Sequence, residues 1–414
     1  MSIFELKKKL QVVKMPKEKI TNNKRTVFRK SVNCWAMLIL LLGFSASMAA
    51  GMPETPASQA SSGMQLLHDK MAEKAEKWHS GNYCLSGDVD TAIEKAVSFL
   101  KEGQLPSGEF PTYVSLSPDM ADKIYLPQVF SSAIVLHSLS FVESDPEVNE
   151  MRNKTVVYIL ANKEEPGVWR FYGKYSSMPP DLDDASVVFA SLKETGIPVE
   201  ESGLEYALNY KNQEGLFYTW MNEEKWMNES DPFYLLYKNN DVDPVVNANM
   251  LYALSLAGEQ APEVSDYLNS YIQNNSFTEA TMYYHIPYIQ LYTFSRAYAD
   301  GQAEDLKPSM PVIKNYLLST QKPDGSWGDE INTSMAAISL MNSGYKGKAL
   351  DRAITHILDT QRSDGSWPEI GVQSLTFYYG SEEFTTAFSL EALSKYNELH
   401  NRKWQKTMRT LLNN

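Results

Sequence analysis

A unit recurs through the chain about every 40–60 residues: an apolar helical stretch, a Gln, a Gly-x-aromatic turn, then a second stretch apolar on most sides. Its clearest copies run Gln104-x-x-x-Gly108-x-Phe110, Gln321-x-x-x-Gly325-x-Trp327 and Gln361-x-x-x-Gly365-x-Trp367. Two weaker copies carry Lys163 with Gly167 and Trp169, and Lys211 with Gly215 and Phe217. A sixth, at Tyr271-Ile272-Gln273, has lost the turn. The stretches that follow the turns cover 129–139, 184–192, 245–254, 288–298, 333–340 and 385–393. Helices apolar all round are buried, whereas the Gln-bearing ones carry Lys and Glu on one side and face water. Six outer-inner pairs with no polar capping repeat close into a ring rather than an open solenoid. The expectation is an all-α chain, an (α/α)6 toroid of about twelve helices, with little strand signal between the turns.

Composition supports one large globular ring and sets the basic N-terminus apart. The 414 residues are 43% hydrophobic and carry a net charge of −13. Residues 1–34 hold ten Lys/Arg against Glu5 and Glu18, a local +8, which leaves −21 on the remainder. A body this acidic excludes nucleic acid as a partner. The basic head precedes an uncharged run, 35–50, of about 16 residues, short of the roughly 20 of a spanning helix. Ser47-Met48-Ala49 offers small residues at a cleavage site. Residues 1–50 are therefore read as a signal peptide or a membrane anchor, 51–63 as a linker and 64–414 as the toroid, exported in either case and membrane-associated if anchored. With only Cys34 and Cys84, a disulfide framework or Cys-rich metal site is excluded, and no metal or cofactor is expected.

The repeats resemble the QW motif of squalene-hopene cyclases and related terpene cyclases, with Lys95-Ala96 and Arg352-Ala353 at the matching upstream positions. In that resemblance Gln and Trp are structural and tie an outer helix to the next turn. A second segment, Asp181-Leu182-Asp183-Asp184, opens an inner stretch. Read as residues alone, it is either a helix cap with acids against the helix dipole, or a mutually repelling carboxylate cluster whose raised proton affinity suits an acid catalyst. It also resembles the Asp-x-Asp-Asp motif of class II terpene cyclases. The resemblance implies Asp183 as proton donor to a prenyl chain, with Asp181 and Asp184 tuning it and aromatic faces steering the carbocation. The chain departs from the family in having one ring in place of two, and Ala185 and Ser186 where a Thr is common.

Two further inner stretches open on polar groups. Asp243 and Asn247 are four apart, on one face, with Asn249 elsewhere. Tyr284, Tyr288 and Tyr292 keep the same spacing after His285. Asp243, Asn247, His285 and Tyr288 are thus expected to line a pocket beside the three acids, at one mouth of the ring. Three functions stay open: a class II terpene cyclase-like enzyme on a hydrophobic isoprenoid, a secreted toroid enzyme on polysaccharide or peptidoglycan with carboxylates such as Asp183 and Asp243 across a cleft, and a non-catalytic lipid- or peptide-binding toroid.

Overall fold

A computed structural model describes the backbone of residues 83–412 and the side chains of 88–400; the expectations for 1–50 and 51–63 lie outside the described residues. Six outer helices, α1 (Tyr83–Gly103), α3 (Pro146–Ala161), α5 (Ser202–Ala207), α8 (Pro262–Gln273), α10 (Met310–Thr320) and α12 (Lys348–Thr360), alternate with six inner ones. The inner helices are α2 (Val129–Ser140), α4 (Leu182–Glu194), α7 (Pro244–Ala257), α9 (Pro287–Ala299), α11 (Glu330–Asn342) and α13 (Glu382–Leu412), and a short helix α6 (Tyr234–Asn239) is inserted before α7. Each inner helix packs on the next and α13 packs back on α2, so the ring closes. Among the described residues no helix is long and apolar enough to cross a membrane.

The inner helices are apolar on all sides because both faces are covered: every residue of α2 from Val129 to Leu139 is buried. The outer helix α12 buries only the stripe of Ala349, Leu350, Ala353, Ile354 and Ile357 and turns its charges to water. Helix starts follow local chemistry. Asp145, Asp181, Asp243 and Asp329 accept backbone N–H bonds at N-caps, and Pro146, Pro244, Pro262 and Pro287 stand in first turns.

The repeat residues do the joining. Gln321 Nε2 donates to Gly325 O at 2.9 Å and to Ala349 O of the next outer helix at 2.8 Å. Gln361 Nε2 does the same to Gly365 O and, across the closure of the ring, to Ala92 O of α1 at 2.9 Å. Trp327 and Trp367 each donate Nε1 back to their own outer helix, at Leu317 O and Ile357 O. Even the copy without a turn keeps its tie, from Gln273 Nε2 to Pro308 O at 3.1 Å. Gly365 has φ +95 and lies so close to α1 that a Cβ would stand 2.3 Å from Lys95 O, so only glycine fits.

One departure from an all-helical expectation is a small antiparallel sheet in the order β2 (Ile124–Tyr125), β1 (Tyr113–Ser115), β4 (Phe377–Gly380), β3 (Val372–Ser374). Its strands are too short to show period-2 alternation in sequence. Val114 pairs with Tyr379, and Tyr379 with Val372, so the sheet joins the loop after α1 to the loop before α13.

Candidate functional site

The three acids sit where chain segments are zipped together in front of α4. Leu182 N bonds Thr219 O at 2.9 Å, Met221 N bonds Pro180 O at 3.0 Å, and Thr219 N bonds Asp241 O at 2.9 Å. This braid fixes the start of α4, and the three carboxyls there do different things. Asp181 is the N-cap: its Oδ1 accepts Asp184 N at 2.7 Å. Asp184 is buried with Oδ2 unpartnered. Asp183 caps nothing; its carboxyl reaches the neighbouring inner helix and the segment before α9, accepting Asn249 Nδ2 from α7 at 2.6 Å on Oδ1 and the Tyr284 hydroxyl on Oδ2.

Burial is the first cause of every shift in this cluster. It pushes Asp181 up to about 7 against the hydrogen bonds from Asp184, and holds Asp184 well above the usual carboxylate range, helped by the charge of Asp181. Asp183 is also raised by burial, although Tyr284, Asn249 and the Arg296 charge all pull the other way. The cluster therefore retains protons at a pH where ordinary aspartates have lost them.

Two chambers meet at Tyr284 and Tyr379, beside Asp183. The outer one is lined by the three acids together with Phe171, Trp220, Tyr283, Leu375 and Phe377 among others. The inner one, between the inner helices, is lined by Phe130, Ile134, Val187, Met335, Phe384, Phe388 and further apolar side chains, with Asn249, Thr293 and Arg296 as polar groups. Tyr284 and Tyr379 line both. Aromatic rings line the inner chamber in mutual contact: Phe384 and Phe388 at 5.2 Å and Tyr292 and Phe388 at 5.4 Å edge to face, and Tyr379 and Phe384 tilted at 5.7 Å. Leu375, at the hairpin turn over the outer chamber, has φ +52, a strained value for a branched side chain, and its N–H bonds Met282 O at 3.2 Å.

The other residues expected at this mouth separate into different places. Asp243 caps α7, accepting Val245 N at 2.7 Å, and burial pushes it up to about 7, yet it lines neither chamber. Asn247 is consumed by the preceding turn, exchanging bonds with Phe217 N and O at 2.9 Å. The face assignment of α7 is therefore reversed: Asn249, two residues and about 200° further round, is the one that looks into the ring. His285 stays at the rim with Nε2 near Met282 O at 3.2 Å. Tyr288 faces Tyr316 and Thr320 of α10. Sequence reasoning passed over Asn249, Tyr284 and Arg296. The arginine was the visible signal, because a charged group in an otherwise apolar inner helix needs partners.

Arg296 connects the acid to a buried charge network. It donates NH2 to Asn249 Oδ1 at 2.6 Å and stands against the rings of Tyr252 and Tyr292 at 4.9 and 5.0 Å. Beyond it, Tyr292 OH donates to Glu391 at 2.9 Å, His137 bonds Glu194, and Lys395 Nζ holds Asp300 at 2.6 Å and Asn342 Oδ1 at 3.0 Å. Burial alone would lower His137, but Glu194 and Glu391 push it up to about 9. Burial alone would raise Glu391, but His137, Lys395 and Arg296 draw it down to about 2. The ligand atoms of His137, Asp300 and Glu391 lie within 4.8 Å of one another, a spacing that suits a metal ion. Lys395 already supplies a positive charge there, 2.6 Å from Asp300 and 3.6 Å from Glu391. Three carboxylates face three cations, which is the arrangement of a structural ion network.

No family model matches the chain, and no curated protein matches it in sequence. Solved structures do. A type II terpene cyclase from Scytonema, in complex with geranylgeranyl dihydroxybenzoate, superposes with a TM-score of 0.60 over 77% of this chain and 99% of its own, at 16% identity. The fold is an α/α toroid, shared with that cyclase. A protein from Actinoplanes gives 0.62 over 74% of this chain and 99% of its own, at 15% identity. An unsaturated glucuronyl hydrolase specific for heparin gives 0.52 over 76% and 98%, at 12% identity. At such identities the likeness establishes the architecture, and the chemistry has to be argued from the site.

Proposed function

We propose that this chain is a class II terpene cyclase-like enzyme that starts the cyclisation of a prenyl chain by protonation, with Asp183 as general acid. One observation carries the reading. Asp183 caps no helix, and it is the one of the three acids whose carboxyl is held by side chains of other elements: it lines the outer chamber at its junction with the inner one, bonded to Asn249, which lines the inner chamber, and to Tyr284, which lines both. Helix capping accounts for Asp181 and Asp243; it does not account for Asp183. A double bond brought to that junction meets a carboxyl group with raised proton affinity in a dry site, where an apolar ligand displaces water and raises it further. Transfer of the proton to the terminal C=C leaves a tertiary carbocation, and ring closure moves the charge along the chain past Tyr284, Tyr379, Phe384 and Phe388. Each aromatic face contributes on the order of 0.5–2 kcal/mol to a cation. Loss of a proton to a base ends the sequence, so product and substrate are isomers.

A sugar-cleaving enzyme needs two carboxylates facing one another across a wet cleft. Asp243 lines neither chamber, and the inner chamber walls are hydrocarbon and aromatic, which favours the prenyl reading. Under the same proposal residues 1–50 export the enzyme or anchor it beside its lipid. Incubating wild type and Asp183→Asn with an all-trans C20 prenol, and analysing by gas chromatography and mass spectrometry, is expected to give cyclic isomers with wild type alone. A variant that still produces them at the wild-type rate removes the assignment.

A further inference from the structure

The lining of the two chambers also specifies the end of the substrate that does not react. Resting on the cyclase reading, we propose that the substrate is a neutral prenyl lipid, a prenyl chain ending in an alcohol or phenol, and that a prenyl diphosphate is excluded.

A diphosphate brings two to three negative charges and is held by Arg, Lys or a Mg²⁺ ion bridging it to carboxylates. The outer chamber presents Asp181, Asp183 and Asp184 and no Lys or Arg among its lining residues. The inner chamber has one cation, Arg296, which is 2% exposed, already donates to Asn249 at 2.6 Å and lies against two tyrosine rings. Drawing it towards a phosphate would strip the acid of its positioning partner. The metal route is closed as well. Among the described residues, the one group with ligand atoms close enough to share an ion is His137, Asp300 and Glu391. That group belongs to the ion network around Glu194, which stands eleven residues beyond Asp183 on α4, about 16 Å along the helix. Asp181, Asp183 and Asp184 do not form such a group of three.

What the outer chamber does offer is neutral polar chemistry. Ser374 brings a hydroxyl to it, and the hydroxyls of Thr219 and Tyr283, which donate to Asp241, keep lone pairs that can accept from an alcohol. Hydroxyls exchange hydrogen bonds with an alcohol or phenol, whereas the lining offers no Lys or Arg to balance an anion taken out of water.

The test uses the full chain with all-trans geranylgeraniol and with geranylgeranyl diphosphate, each in Mg²⁺ and in EDTA. Product is measured by mass spectrometry, and binding by quenching of tryptophan fluorescence, since Trp220 is in the chamber wall. The expected result is a cyclic isomer of the alcohol formed equally well in EDTA, turnover of the diphosphate at least tenfold slower, and saturable quenching by the alcohol alone. Turnover of the diphosphate as fast as the alcohol, or faster with Mg²⁺, overturns the inference. Absence of quenching by the alcohol overturns it too. Quenching by the alcohol with no cyclic product, in wild type as in Asp183→Asn, leaves the head preference standing and removes the cyclase reading instead.

Discussion

Asn249 holds Asp183 with one end of its amide and Arg296 with the other, at 2.6 Å in both directions, and so joins the acid of α4 to the buried ion network at the opposite ends of the inner helices. The amide is fixed at both ends, which orients the Asp183 carboxyl in the wall of the outer chamber. Asn249 is a positioning residue and Asp183 the group that meets substrate.

Replacing Asn249 by Ala removes that orientation and leaves Arg296 NH2 without its acceptor. Misplacement on the scale of 1 Å costs about 10²-fold in rate, and an unpartnered buried donor costs about 1–3 kcal/mol in stability. The expected signature is a fall in kcat of that order with KM little changed, together with a lowered melting temperature. A merely structural residue would lower stability and leave the kcat of the folded fraction intact.

Tyr284→Phe deletes the hydroxyl that donates to Asp183. That bond favours the charged carboxylate, so its loss moves Asp183 further up. A general acid works in its protonated form, and activity falls as pH rises through its titration. The alkaline limb of the pH–rate profile is expected to shift to higher pH in the variant. An unmoved or lowered limb contradicts the role given to Tyr284.

Stability should be greatest on the acid side of neutrality. Asp181 and Asp243 titrate at about 7 when folded, above their unfolded value, so the folded state takes up protons first as pH falls from 8 towards 4 and gains stability over that window. His137, raised to about 9, contributes stability below its unfolded value that is lost as pH rises through 9. Glu391, lowered to about 2, contributes stability above 4.5 that is lost as pH falls through 2. Asp243→Asn keeps a cap but removes one buried acid. Differential scanning calorimetry at pH 5 and 8 is expected to show the variant more stable than wild type at pH 8, and with a smaller difference between the two pH values.

The closure of the ring is tested by Gly365→Ala, which forces a Cβ to 2.3 Å from Lys95 O at φ +95. Strain and clash together cost about 2–4 kcal/mol. Gln361→Ala, which loses two bonds without a clash, costs about 1–3 kcal/mol. Urea denaturation should rank them in that order.

The ring was legible because its determinants are local and repeated. The expected inner stretch 129–139 coincides with α2 to within a residue, and the Gln-Gly-Trp units close the ring as their spacing implied. The start of α11 at Glu330 lies three residues before the expected 333, because Asp329 and Glu330 are cap chemistry and carry no apolar signal. The site was half legible. Acids at a helix start are visible in a sequence, but which face of α7 looks inward depends on neighbours far along the chain, so Asn247 was chosen where Asn249 reaches Asp183. Tyr284 stands before α9, where helical periodicity says nothing, and the strands that bring Tyr379 over the chambers are three and four residues long.

The central claim, protonation of a prenyl chain by Asp183, is tested most directly by running the reaction in D₂O. Wild type is expected to form a cyclic isomer of the prenol that carries one deuterium, detected as a mass increase of about one unit, and Asp183→Asn none. Cyclic product without solvent deuterium, or undiminished deuterated product from Asp183→Asn, would contradict it.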